Sequence, residues 1–188
     1  MHVTLRIRRG IRSLRRFELC AAIFRCFRDA AKRGPRTGSF RVVHFSVQTN
    51  HLHLLVEAGS KRSLGRGLQG LASSIARRTN RKLGRRGALF ADRYHARELT
   101  SPLEVRRAIL YVAKNAEKHP EPFSDQESLV RGGIDPCSSA AWAADIWARP
   151  PPRPEKDPPT QPPATWLLRT SWKRHGRLAR HELPAGVG

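Results

Sequence analysis

Seven residues, Asn50-His51-Leu52-His53-Leu54-Leu55-Val56, carry the strongest chemical signal in the chain. Strand side chains alternate between faces, so two histidines separated by one leucine put both imidazoles on one side of a β-strand. Two neutral imidazoles side by side can hold a divalent metal ion. Such an ion needs at least one further ligand, and chemistry at the ion needs a nucleophile. His44, Gln48 and Glu57 are predicted to share the histidines' face, and any of them could supply a third ligand. Further on, Tyr111 and Asn115 are spaced i, i+4 in a helical pattern and so stack one above the other. Tyr94 is the only other tyrosine.

The elements that must position these residues can be read from periodicity. Residues 40–48 and 51–57 form a hairpin around a two-residue turn, Thr49-Asn50. Gln48 then opposes His51 and Ser46 opposes His53, and opposed side chains share a face. One face carries His44, Ser46, Gln48, His51, His53 and Glu57, while the other carries Val43, Phe45, Val47, Leu52, Leu54 and Val56. Val42 and Leu55 break the pattern on the polar face. His2 to Arg8 alternates as a half-buried strand, with Val3, Leu5 and Ile7 inward and His2, Thr4, Arg6 and Arg8 outward. A strand beginning at the initiator Met suggests that the true start lies upstream.

Residues 13–33 are predicted as an amphipathic helix with Phe17, Cys20, Ala21, Phe24, Phe27 and Ala31 on its apolar stripe and Arg15 among the other positions, stopped by Gly34-Pro35. A second helix over 63–83 has the stripe Leu64, Leu68, Leu71, Ile75, Thr79 and Leu83, and Gly65, Gly67 and Gly70 in its first turns leave room for close backbone approach. Residues 88–99 read as extended, with Tyr94 packing or stacking on a base. A third helix starts at Ser101-Pro102, with Glu104 as a capping-box partner, the core stripe Val105, Ile109, Val112 and Ala116, and an end at Pro120 and Pro122. The order β-α-β-β-α-β predicts an α+β fold, a ferredoxin-like or RRM-like antiparallel sheet with helices on one face and the other face free for function.

Charge narrows the partner. The chain has 36 Lys+Arg against 15 Asp+Glu, a formal net charge of +21. Residues 1–121 alone hold 27 basic and 8 acidic residues. Solubility asks for a net charge of only about 2–8 in a small domain. A polyanion, most simply nucleic acid, is the expected partner. Between residues 61 and 86 lie nine basic residues and no acidic one. Phosphate contacts are accordingly expected from Arg62, Arg66, Arg77, Arg78, Arg81, Lys82, Arg85 and Arg86, joined by Arg6 and Arg8.

Past residue 121 the character changes. The domain organisation predicted is a nuclease-sized domain over 1–121, a short adjunct over 122–149, a stiff linker over 150–165 and a basic aromatic tail over 166–188. Eight of the fourteen residues from Pro150 to Pro163 are proline. The tail, with Trp166 and Trp172-Lys173-Arg174, either returns to the domain or makes an auxiliary contact to DNA. Cys20, Cys26 and Cys137 form neither a disulfide framework nor a zinc knuckle, which fits a reducing cytoplasm. No apolar run is long enough to span a membrane, and a cytoplasmic, nucleoid-associated location is expected.

The motifs together resemble a family. Asn50 to Leu55, then Gly84-Arg85-Arg86-Gly87-Ala88-Leu89-Phe90 leading to Tyr94, then Tyr111 to His119, are similar to the single-tyrosine HUH transposases, and most to the REP-associated tyrosine transposases. The resemblance covers about residues 1–120. It implies that His51 and His53 are paired metal ligands, that Asn115 completes the shell and that Tyr111 is the nucleophile. It further implies Mg²⁺ or Mn²⁺ as cofactor and single-stranded or hairpin DNA as partner, with the protein a monomer or homodimer. The implied activity is that of a DNA endonuclease and strand transferase working through a 5′-phosphotyrosine link. Two departures stand out: Ala116 follows Asn115 where the family usually has proline, and Thr49 precedes Asn50 where it often has proline. His95 and His119 are assigned no role. Two other readings fit the same chain: a non-catalytic RRM-like nucleic-acid binder, and a domesticated enzyme that nicks host repeats without transposing. Against the first, the central hairpin lacks the interleaved aromatics of an RNA-binding sheet.

Overall fold

The structure, a computed structural model, describes residues 1–33, 40–118 and 134–184. Gly34-Pro35, His119, Pro120 and Pro122 lie outside the described residues. Four strands, β1 (His2–Arg6), β2 (Phe40–Val47), β3 (His51–Ala58) and β4 (His95–Arg97), form one antiparallel sheet in the order β2-β3-β1-β4. Helices α1 (Phe17–Lys32) and α2 (Lys61–Lys82) join β1 to β2 and β3 to β4. This is the α+β, ferredoxin-like arrangement. Helix α3 (Pro102–Lys118) follows, and a short helix α4 (Trp166–Arg169) lies near the end of the chain.

Alternation along the strands builds the first core. Val3, Leu5, Phe45, Val47, Leu52, Leu54 and Val56 point to one face, where α1 and α2 cover them. Leu64, Leu68, Leu71, Ile75 and Thr79 are the buried stripe of α2, as its spacing requires. Gly67 is where the ring of Phe40 crosses α2: a Cβ there would come within 2.1 Å of Phe40 Cγ. Gly70 meets nothing of the kind, so only one of the glycines in the first turns serves close approach through the sheet. Helix α1 begins later than its spacing suggests. Phe17 is 75% exposed, and the buried set is Leu19, Cys20, Ala22, Ile23, Phe24, Cys26 and Phe27. Arg15 precedes the helix and is buried, its guanidinium paired with Asp135 at 2.8 and 3.0 Å.

The turn at Thr49-Asn50 closes as predicted, with Gln48 N–H donating to the His51 carbonyl at 2.9 Å and Ser46 opposite His53. Between Val42 and His44 the β2–β3 register shifts. The irregularity reverses two valines relative to strict alternation. Val42 pairs with Val56 and joins the α1/α2 core, whereas Val43 joins Leu55 on the opposite face.

That opposite face is not free. Val43 and Leu55 give it an apolar footing, on which α3 packs through Val105, Ala108, Ile109 and Val112. The segment after residue 134 completes this second core with Ile146, Trp147, Leu168, Trp172 and Leu178. Trp147 and Trp172 are each 1% exposed. On the way, Ser139 N–H donates to the Phe45 carbonyl and Gln161 N–H to the Val42 carbonyl, both at 2.9 Å, so the outer edge of β2 is covered. The tail returns to the domain. The Ala164-Thr165 segment explains part of that route: Thr165 caps α4, and the backbone N–H groups of Ala164 and Thr165 donate to the Glu57 carboxylate at 2.7 and 2.9 Å. The fourth strand is also shorter than the extended reading of 88–99. Only His95–Arg97 pair continuously with β1, and Phe90 bridges to Ile7 on its own.

Candidate metal and tyrosine site

β1 lies beside β3 in a register that pairs Arg6 with His51, Thr4 with His53 and His2 with Leu55. His2, Thr4 and Arg6 therefore stand on the same face as the two histidines. Asn50 Oδ1, in the turn, lies 2.7 Å from Nδ1 of His51. An amide oxygen only accepts, so this contact favours the tautomer with the proton on Nδ1 of His51 and the lone pair on Nε2. Nε2 of His51 and Nε2 of His53 approach to 2.8 Å, the rings meeting edge to face at 85°. The far nitrogen of His53, Nδ1, faces Nε2 of His2 at 3.2 Å and Oγ1 of Thr4 at 3.3 Å. Burial, Arg97 and the N-terminal ammonium hold the His2 pKa down to about 4, so its ring is neutral at pH 7.

Helix α3 brings the tyrosine. Its start is fixed by the predicted box: Glu104 accepts from the N–H groups of Thr100 and Ser101 at 2.8 and 3.1 Å, and Ser101 Oγ accepts from Glu104 N–H at 3.3 Å. Those donors hold the Glu104 carboxyl down to about 2. The apolar stripe of α3 docks on Val43 and Leu55, which turns the flank bearing Tyr111 toward the histidines. Its hydroxyl lies 3.3 Å from Nε2 of His53, with ring centroids 4.9 Å apart and planes at 78°. At Lys114 the backbone leaves helical geometry (φ −125°, ψ 16°), and the buried Lys114 ammonium donates to the Arg180 carbonyl. Asn115 is fully buried, and neither its amide oxygen nor its nitrogen makes a well-formed hydrogen bond. It sits close enough to Tyr111 to favour the phenolate, but burial outweighs this and raises the Tyr111 pKa above the usual tyrosine value.

The donor set can be tested against a divalent ion. Among the described residues no group of three or more His, Cys, Asp or Glu side chains is placed to hold one. Two converging imidazole nitrogens fit such an ion, and the buried amide of Asn115, one helical turn from the tyrosine, has the donor chemistry to join them. A buried amide whose hydrogen bonds are poorly formed carries a desolvation cost that a ligand would relieve. Nitrogen plus carbonyl donors with open positions suit a first-row divalent ion that also takes oxygen ligands. Two of the other candidate ligands are engaged elsewhere. Glu57 is held by Ala164 and Thr165, and Gln48 donates to Ser46 Oγ. His44 is buried opposite Leu55. Tyr94 is half-buried and packs against the α1/α2 core, away from the α3 side.

The structure divides the basic residues. Arg6 stands next to His51 on the site's face, and Arg8 is exposed just beyond β1. The α2 cluster belongs to the opposite layer. Arg77, Arg78, Arg81 and Lys82 line a groove of about 490 Å³ with Arg25 of α1 and Arg33 just after it. Arg78 pairs there with Asp29. Arg62, Arg66 and Arg86 are exposed. Arg85 is tied into the loop after α2, donating to Asn80 Oδ1 at 2.6 Å and to the Ala88 carbonyl at 3.2 Å. Sequence reasoning left His2 and Thr4 without a role. Their alternation with Arg6 was visible; the signal missed was that this alternation, set beside β3, aims them at His53.

No family model matches the sequence, and no curated protein is similar to it. Among solved structures, a REP-associated tyrosine transposase bound to a REP hairpin is similar, with a TM-score of 0.42 and 19% identity over 63% of this chain and 66% of that one. The likeness is too slight to carry function from one to the other.

Proposed function

We propose that this protein is a metal-dependent single-stranded DNA endonuclease and strand transferase of the transposase kind, acting on hairpin or repeat DNA through a 5′-phosphotyrosine intermediate. The observation that carries the reading is the approach of the Tyr111 hydroxyl to Nε2 of His53, which itself meets Nε2 of His51, in one chain. A tyrosine whose pKa is raised by burial is a packing residue unless something favours its phenolate. A tyrosine beside two convergent imidazoles and a basic strand has that something within reach.

His51, His53 and Asn115 would hold Mg²⁺ or Mn²⁺. Such an ion, when bound, polarises the scissile phosphate. Tyr111 Oη attacks phosphorus as its phenolic proton departs, the P–O3′ bond breaks, and a 5′-phosphotyrosine and a free 3′-OH result. The ester conserves the bond, so attack by a 3′-OH rejoins a strand without ATP. Asn115 favours the phenolate, and Arg6, opposite His51, is placed to meet the DNA backbone. The α1–α2 groove and the exposed arginines of α2 add phosphate contacts away from the reacting atoms.

The test is a labelled single-stranded hairpin incubated with the protein and Mn²⁺, then denatured. A covalent adduct should form with wild type and Tyr94→Phe, and vanish with Tyr111→Phe. An adduct that persists in Tyr111→Phe, or at full yield in a His51→Ala, His53→Ala double variant, would sink the mechanism. Tight, salt-sensitive binding with no adduct on a broad panel of hairpins would favour a non-catalytic binding module.

A further inference from the structure

The proposed chemistry uses Nε2 of His53 and leaves Nδ1 facing β1. Among the described residues two atoms meet Nδ1 there: Nε2 of His2 at 3.2 Å and Oγ1 of Thr4 at 3.3 Å. The His2 and His53 rings are tilted at 34° with centroids 5.1 Å apart, and His2 also lies edge-on to Tyr111 at 5.9 Å. Both β1 residues arrive by strand register, Thr4 opposite His53 and His2 two pairs further, opposite Leu55. The contact is thus built into the sheet.

Counting protons gives the contact a consequence. A neutral imidazole has one N–H. That of His51 is spent on Asn50 Oδ1, which leaves its Nε2 as a lone pair. Without an ion, the 2.8 Å approach of the two Nε2 atoms calls for the His53 proton to lie between them. With an ion on both lone pairs, the proton of His53 must move to Nδ1. There it needs an acceptor in line, as ligand histidines generally have on their second nitrogen. Thr4 offers a hydroxyl, which donates as readily as it accepts. His2 offers an imidazole nitrogen, the more basic acceptor of the two.

We infer that His2 is a positioning residue of this site: its Nε2 accepts the Nδ1–H of His53 and so turns the other nitrogen of that ring toward the ion and Tyr111. The inference rests on the metal reading given above. His2 acts through His53 and touches neither the ion nor the DNA.

The test is Mn²⁺ binding to the full chain, followed by the spin-resonance signal of the free ion, with no DNA present. His2→Leu keeps an apolar body of similar size and removes the acceptor. His2→Gln keeps an acceptor. His2→Leu should weaken Mn²⁺ binding about 10–100-fold, the usual effect of losing such a partner, with thermal melting unchanged, and His2→Gln should recover most of the loss. Wild-type affinity in His2→Leu overturns the inference. So does an equal loss in His2→Leu and His2→Gln, which would mean packing alone. A loss in Thr4→Val with none in His2→Leu overturns it too, because Thr4 would then be the acceptor. His51→Ala separates the two levels. If His51→Ala abolishes binding while His2→Leu binds like wild type, the inference falls and the site stands; if His51→Ala binds like wild type, the ion is not held by the histidine pair and both fall.

Discussion

The hydroxyl of Tyr111 lies 3.3 Å from Nε2 of His53, across 58 residues of sequence. Burial raises the tyrosine's pKa and its neighbour Asn115 lowers it, burial being the larger effect. The phenol is therefore neutral at pH 7 in the ion-free protein. In a Tyr94→Phe background Tyr111 is the sole phenol, and ultraviolet titration should place its midpoint above the ordinary tyrosine value. Asn115→Leu should move it higher still. A midpoint that falls on replacing Asn115 would show that the amide does not favour the phenolate.

His44 gives a pH dependence of stability with a definite sign. Burial lowers its pKa from 6.5 to about 4, so the folded protein keeps the ring neutral where the unfolded chain protonates it. The stability this contributes is complete above 6.5 and is lost as the pH falls toward 4, by about 3 kcal/mol in all. Urea unfolding at pH 7 and pH 4.5 should show a smaller difference in His44→Gln than in wild type. Equal differences would mean that His44 is not held neutral.

Arg15 and Asp135 form a buried ion pair, 6% and 1% exposed. Asp135 also accepts from Cys137 N–H at 2.9 Å. Removing one partner strands the other charge away from water, so Asp135→Ala should cost about 3–5 kcal/mol of unfolding free energy. Replacing both with apolar residues, Arg15→Met with Asp135→Leu, should cost much less. A double variant as unstable as the single one would locate the value in the hydrogen bonds rather than the charge.

Gly67 lies against the Phe40 ring. Gly67→Ala should destabilise by about 1–3 kcal/mol as the ring is forced aside, even though alanine is the better helix former. In a Phe40→Ala background the same change should be neutral or stabilising. No difference between the backgrounds would remove the close approach as the reason for glycine.

The groove between α1 and α2 should carry part of the salt dependence of DNA binding and none of the bond chemistry. Each lost phosphate contact lowers the slope of log affinity against log salt by about 0.7–0.9. Arg77→Ala with Arg81→Ala should therefore flatten that slope, while adduct yield at saturating hairpin stays at the wild-type level. An unchanged slope would take these residues out of the contact surface.

Much of this was legible beforehand because it depends on periodicity. The α2 stripe, the hairpin turn and the opposition of Ser46 to His53 all follow from spacing. The placing of Tyr111 and Asn115 on the flank of α3 does too, although the kink at Lys114 between them does not show in any residue pattern. What escaped depends on long-range partners. Strict alternation put Val43 with Phe45, and one irregularity in β2 sends it to the other face, where with Leu55 it seats α3. Arg15 looked like a solvated helix residue because its acceptor, Asp135, is 120 residues away. The tail's return is invisible in composition for the same reason, since Glu57 reads as a polar strand residue and candidate third ligand until Ala164 and Thr165 arrive.

That return sets the order in which the molecule can be completed. The α1/α2 core closes over the sheet using residues up to Leu89, apart from Cys137. The layer beneath α3 instead waits for Trp147, Leu168 and Trp172. During synthesis the histidine strand therefore emerges before the surface that completes the layer beneath the tyrosine helix. Contacts closed over such long loops also form late in refolding. The two halves of the site thus draw on different spans of the chain: the imidazoles ride on a sheet cored by residues up to Leu89, and the layer around the phenol's helix is completed by described residues after 134.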